Sequence, residues 1–179
     1  YQLRVVTPGG VSLPLVVGVD KLPQVVFGPE ATQLPVALHG LVGGSAVNET
    51  KLTGKAGQKI QIEVEAQRLG SKLRPVLHLY DARKKQISWS WNLPSLSGDT
   101  RLEAVLPEDG IFTVALHDAE YAPPGSSYFR LKIGEWACVD QVFPVAVPKG
   151  QPIGLELLGA TPVPRFDLPA VAAAGMVPL

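Results

Sequence analysis

Short apolar runs separated by glycine and proline recur along this chain, and most of them alternate with polar residues at period two. That period puts successive side chains on opposite faces of a strand. In "QKIQIEVEA" (58–66), Ile60, Ile62, Val64 and Ala66 alternate with Gln61, Glu63 and Glu65. In "PVLHLY" (75–80), Val76, His78 and Tyr80 share one face, and Leu77 and Leu79 share the other. "RLEAVL" (101–106) and "IFTVALH" (111–117) flank the turn "PEDG", which predicts an antiparallel hairpin. "SYFRLKIG" (127–134) closes the series with Phe129, Leu131 and Ile133 in alternation. Helical periodicity is nearly absent. "EAQRLGSKL" (65–73) has room for one turn before Gly70 stops it, and "PAVAAAG" (169–175) is a poor helix former between prolines. Many short strands with turn residues between them predict an all-β sandwich.

The ends differ in texture from the middle. Residues 1–27 predict two or three strands around Pro8-Gly9-Gly10, residues 28–35 ("GPEATQLP") read as a linker, and residues 139–159 predict a further hairpin. Beyond that, proline and alanine dominate.

The stretch "ISWSWN" (87–92) holds two of the three tryptophans. In an unbroken strand Ile87, Trp89 and Trp91 share one face, while Ser88 and Ser90 take the other. Serines on one side and apolar residues on the other predict a half-buried strand. Trp89 is then expected in the core and Trp91 at its rim, next to the exposed-looking loop "NLPSLSGD". Trp91, with Tyr80 and Tyr121, is the candidate binding surface.

Charge narrows the partners. The chain of 179 residues carries 16 basic and 16 acidic side chains, and its densest basic cluster, "ARKKQ" (82–86), reads as a hairpin turn. A nucleic-acid partner is excluded on that ground, because phosphate recognition needs a concentrated positive face. The longest apolar runs, "LPLVVGV" and "VAAAGMV", are far shorter than the roughly 18 residues of a membrane span. Met176 is the only methionine, so "YQLRVV" reads as a processed end or as the edge of a longer chain. Cys138 is the only cysteine, which leaves no internal disulfide and no cysteine-based zinc cluster.

Catalytic chemistry is poorly represented. "GGSAV" (43–47) lacks the last glycine of a nucleophile elbow, so Ser45 reads as a loop serine. Cys138 has no visible activating partner and reads as a small buried hydrophobe. His39, His78 and His117 could converge on zinc, but none sits in a close-spaced histidine motif, and a strand histidine ordinarily bonds to backbone or water. Asp99, Glu108, Asp109, Asp118 and Glu120 sit at turns, where carboxylates accept from backbone amides. Adjacent turns could gather two or three of them around calcium, although no D-x-D-x-D-G loop is present. Calcium is thus the one cofactor left open. A small hydrolase with an unrecognised site would need a concave pocket with convergent polar groups.

The ordered motifs of residues 36–134 resemble the bacterial pre-peptidase C-terminal domain. The matching positions are Gly57 and Gln58, then Ser71, Leu73, Pro75, Leu77, Leu79, Tyr80 and Asp81, then Gly110, Asp118, Tyr128 and Leu131. "VVTPGGVSLPLVVGV" and "VFPVAVPKGQPIGLELLG" resemble the last and first strands of TIG-type immunoglobulin-like domains. The resemblance implies a jelly-roll-like antiparallel β-sandwich with immunoglobulin-like strand pairs at both ends. It also implies a non-catalytic accessory module of a secreted or cell-surface bacterial protein, often a peptidase. The partners implied are neighbouring domains of a larger parent protein and an extracellular protein or polysaccharide. Two departures stand out: Lys84 occupies a position where the family favours glycine, and Trp91 and Asn92 stand where it often has acidic residues. Related collagen-binding domains hold calcium through acidic residues near the domain start, where this chain offers only Glu30.

Overall fold

A computed structural model describes residues 1–123, 125–159 and 165–172. The chain divides into two compact units, Tyr1–Glu135 and Trp136–Leu179. The first unit begins with β1 (Gln2–Leu3), β2 (Val6–Thr7), β3 (Gly10–Val11), β4 (Leu15–Val16) and β5 (Gln24–Val26). Eight longer strands follow: β6 (Val36–Leu41), β7 (Asn48–Gly54), β8 (Lys59–Glu65), β9 (Pro75–Tyr80), β10 (Gln86–Trp91), β11 (Thr100–Val105), β12 (Gly110–Asp118) and β13 (Tyr128–Gly134). The second unit holds β14 (Gln141–Phe143), β15 (Ile153–Leu158) and β16 (Phe166–Leu168), paired in that order into an antiparallel sheet.

The protein is all-β, as the period-two pattern predicts. Strands β10-β9-β12-β7 form one sheet, and β11-β8-β13-β6-β5 form the other. Taken over β6 to β13, this alternation between sheets is the strand order of a jelly roll. Leu38, Leu52, Ile60, Ile62, Leu77, Leu79, Phe112, Leu116, Leu131 and Ile133 fill the space between the sheets, each no more than 2% exposed. Among the described residues the helical content is two short 3-10 turns, Gln67–Leu69 and Pro94–Leu96. Gly70 ends the first in the left-handed conformation, at φ 90°. Among the described residues no helix is long and apolar enough to cross a membrane.

The expected hairpin over 101–117 does not form. β11 pairs with β8 in one sheet, while β12 pairs with β7 and β9 in the other. "PEDG" therefore arches across the sandwich, with Leu106 buried beneath it and bonded through its backbone to Gln58 and Gly57. A tight turn reverses the chain in either case; what decides is where Leu106 is buried.

The segments before β6 are joined to this sandwich in part. β5 adds to the edge of β6 in parallel register. Residues 28–35, expected as a linker, run along β7: Ala31 N–H donates to Lys51 O (2.8 Å), Lys51 N–H donates to Pro29 O (2.9 Å), and Ala31 is 7% exposed. β1 pairs with β4 and β2 with β3 around the Pro8-Gly9-Gly10 turn, so paired strands lie at the start of the chain as β14 and β15 do near its end. The "PAVAAAG" stretch and much of the Pro/Ala-rich tail extend outside the described residues.

The outer face of the five-stranded sheet is held by charge. Arg130, 4% exposed, pairs with Asp20 and Glu65; Lys132 pairs with Glu63 and Glu65; Arg68 pairs with Glu63 and Asp99. Burial opposes ionisation of Glu65, yet its bonds to Lys132 and Arg130 outweigh that and hold its carboxyl below the ordinary range. This network explains why Glu63, a polar position of the alternating strand β8, is buried along with its apolar ones, and Gln61 two residues before it is buried while donating to Glu103 (2.7 Å).

Candidate aromatic platform

The other sheet turns a different face to solvent, and a β-bulge in β10 makes it. Gln86 lies opposite Tyr80 and Ser88 opposite Leu79, so one extra residue, Ile87, is inserted into the ladder. A bulge of this kind shifts the alternation by one position. Ile87 packs against the core, but after it Ser88 and Ser90 turn inward, opposite the fully buried Leu79 and Leu77. Their hydroxyls find partners there: Ser90 accepts from Thr100 (2.9 Å), and Ser88 donates to Glu103 O. Trp89 and Trp91 consequently face outward and are 55% and 50% exposed. The expectation that Trp89 lies in the core is overturned, whereas the partial exposure expected of Trp91 is observed.

The face continues across β9 and β12. Trp89 lies opposite His78, which lies opposite Ala115; Trp91 lies opposite Val76, which lies opposite His117. The rings form a chain. His78 stacks towards Tyr80 (centroids 5.7 Å), Trp89 (6.4 Å) and His117 (5.2 Å), each within 17° of parallel. Tyr121 lies over His117 at 4.4 Å and 6°.

Local backbone conformations hold this array. Tyr121 has φ 55°, a left-handed value that is unusual for a bulky residue and indicates a position imposed by its surroundings. Its amide donates to Asp118 O (3.0 Å). The Asp118 side chain, fully buried, accepts from the Arg74 amide and guanidinium and from the Glu120 amide. Burial alone would raise its pKa; the bonds from these amides and from Arg74 outweigh it and hold the carboxyl below the usual range. Lys84, in the turn before β10, has φ 64°, so the position where the resembling family favours glycine does adopt the conformation glycine favours.

Polar groups surround the rings. His78 Nδ1 donates to Gln86 Oε1 (2.9 Å), His117 Nδ1 donates to Asp118 O (2.8 Å), and the two Nε2 atoms lie 3.1 Å apart. A groove of about 260 Å3 runs beside them, lined by Glu49, His78, Tyr80, Lys84, His117 and Tyr121. A larger open cleft, about 960 Å3, lies beside Glu30, Lys51, Lys55, Gln58 and Glu135, and no aromatic ring lines it.

Of the residues singled out in the sequence, Tyr80 and Tyr121 line this groove and Trp91 lies on the same sheet face. His78 and His117 meet, while His39 sits on the other sheet against Gln24 (2.6 Å). Ser45 is in an exposed turn, and Cys138 is a buried cysteine of the second unit. Asp99 accepts from the amides of Ala66, Gln67 and Arg68, and Asp109 from that of Ala56, the turn role expected of them. Glu120 pairs with Arg74. Among the described residues no three His, Cys, Asp or Glu side chains converge as a metal-binding group. Sequence reasoning assigned Trp89 to the core, and it weighed a meeting of His39, His78 and His117 but preferred separate strand histidines; the structure brings two of the three together. The signal for the pair was present, since both occupy outward positions of strands that proved to be neighbours; the bulge left no local signal.

These features define a jelly-roll β-sandwich with an aromatic outer face. No family model matches the chain, and no curated protein matches it. Among solved structures it is similar in fold to PliG of Aeromonas hydrophila, a periplasmic lysozyme inhibitor of g-type lysozyme (TM-score 0.46, 15% identity, 65% of this chain and 98% of that one). It is also similar to the pre-peptidase C-terminal domain of collagenase from Bacillus anthracis (TM-score 0.43, 12% identity, 64% of this chain and 99% of that one), the type of domain its motif order resembles.

Proposed function

We propose that this chain is a non-catalytic adhesion module of a larger exported bacterial protein, and that the outer face of β10, β9 and β12 holds an extended polysaccharide. The observation that carries this reading is the outward turn of Trp89 and Trp91, each half exposed on one sheet face. Exposed aromatic surface grouped on one face is the usual mark of an interaction site. Two residues apart on a strand, the Cα atoms that carry the indoles are spaced by about 6.8 Å. They offer broad, flat apolar surfaces, on which the apolar faces of sugar rings can lie, and Gln86, Glu49 and Lys84 supply hydrogen-bonding groups nearby. The ordered motifs shared with pre-peptidase C-terminal domains support export and attachment to a parent enzyme. The ring nitrogens of the two histidines face Gln86, the Asp118 carbonyl, Tyr121 and each other rather than a serine or cysteine, which favours adhesion over hydrolysis.

The test is retention of the purified chain on insoluble cellulose, chitin, peptidoglycan and collagen. Retention on a polysaccharide is expected, weakened about tenfold or more by Trp89→Ala or Trp91→Ala. Retention unaffected by the double variant overturns the reading, and retention on collagen alone replaces the polysaccharide with a protein partner.

A further inference from the structure

The histidine pair carries an inference that does not depend on the polymer. The Asp118 carbonyl oxygen is only an acceptor, so His117 Nδ1, 2.8 Å away, holds a hydrogen. With Gln86 Oε1 as the acceptor, His78 Nδ1, at 2.9 Å, holds one too. A neutral imidazole protonated at Nδ1 has a bare lone pair on Nε2. In that tautomer the two lone pairs, 3.1 Å apart, repel each other, and a cation held by both, either a shared proton or a metal ion, relieves the repulsion.

The geometry points to a divalent transition-metal site formed by His78 Nε2 and His117 Nε2. Two nitrogens bound to one tetrahedral ion at 2.0–2.1 Å stand about 3.3 Å apart, close to the spacing seen here. Both ligands are oriented as metal-bound histidines usually are, with the second ring nitrogen donating to a carbonyl or carboxamide oxygen. The Tyr121 hydroxyl, 3.4 Å from His117 Nε2, is the nearest oxygen donor, and Glu49 lines the same groove. The remaining coordination positions face the groove and are left to water or to a ligand's own donor. Two imidazoles and a phenol oxygen suit Cu2+, Ni2+ or Zn2+ rather than calcium, with Cu2+ held most tightly.

The experiment uses the full chain, stripped with chelator and titrated with Cu2+ and with Zn2+. About one ion is expected per chain, with a Cu2+ electron paramagnetic resonance spectrum split by two nitrogens. Affinity should fall by more than about 100-fold in His78→Ala and His117→Ala and by about tenfold in Gln86→Ala, which removes only the orienting acceptor. His39→Ala should leave it unchanged. A measurement on the unsubstituted protein guards against variants that fail to fold: 15N imidazole resonances of both histidines should move at Nε2 on adding Zn2+. No retained ion, binding that survives the double histidine variant, or Nε2 resonances that stay put with a proton held between them each overturns the site.

Discussion

Replacing Trp89 by alanine tests the bulge in β10, because the two possible phases of the strand give different energies. A tryptophan can bury up to about 250 Å2; at 55% exposure Trp89 removes roughly 110 Å2 from water, worth under about 3 kcal/mol at 25 cal/mol per Å2. The methyl that alanine retains and the compactness of the unfolded chain reduce the expected cost to about 1–2 kcal/mol. Trp91, 50% exposed, should cost the same within error. Phe112, 1% exposed in the middle of the core, is the comparison: Phe112→Ala should cost about 3–5 kcal/mol. Ser90→Ala supplies the other half of the test. Its hydroxyl is the acceptor for the fully buried Thr100, so its removal leaves a buried donor unpaired at a cost of about 1–3 kcal/mol, whereas an outward serine would be neutral. Urea titrations of the four variants, compared at a common slope, measure these differences. If Trp89→Ala destabilises as much as Phe112→Ala while Ser90→Ala changes nothing, the indole is inside, the strand is unbroken, and the platform does not exist.

The charged groups give three further outcomes. Asp99→Ala removes a fully buried carboxylate that accepts from three consecutive amides and from Arg68, and should lower stability by about 3–5 kcal/mol in the same titration. The thermal midpoint should decline gently below pH 6.5, because burial and then Arg130 hold the His39 pKa under that value, so the unfolded chain takes up its proton first. The decline should steepen below about pH 4 as Asp20, Glu65 and Asp118 are protonated; their folded pKa values lie below the ordinary 3.8 and 4.5, so their stabilisation is complete above those values and lost on acidification through the lower ones. Arg130→Met should lower the neutral midpoint and flatten the acid limb. An acid limb unchanged in that variant would mean that the network contributes nothing to the pH dependence.

What could be learned from the sequence alone was whatever neighbouring residues decide between themselves. Alternation in 58–66, 75–80 and 127–134 depends on the period of a strand, so the buried sets Ile60-Ile62-Val64, Leu77-Leu79 and Phe129-Leu131-Ile133 were legible, as was the turn stopped by Gly70. The outward face shared by His78 and Tyr80 followed from the same alternation, whereas the place of Tyr121 beside His117 depends on a left-handed backbone that its surroundings impose. The partners of those strands were not legible. "PEDG" reads the same as a hairpin or as an arch between sheets, and only the burial of Leu106 between the layers selects the arch. The phase of "ISWSWN" was misread because it depends on how β10 registers against β9: one inserted residue keeps Ile87 on the core, brings Ser90 to the buried Thr100 hydroxyl and sends both indoles outward. The meeting of His78 with His117 is likewise a product of β9 pairing with β12 within one sheet, strands 39 residues apart at these positions, and a pairing of that range is not specified by any local pattern.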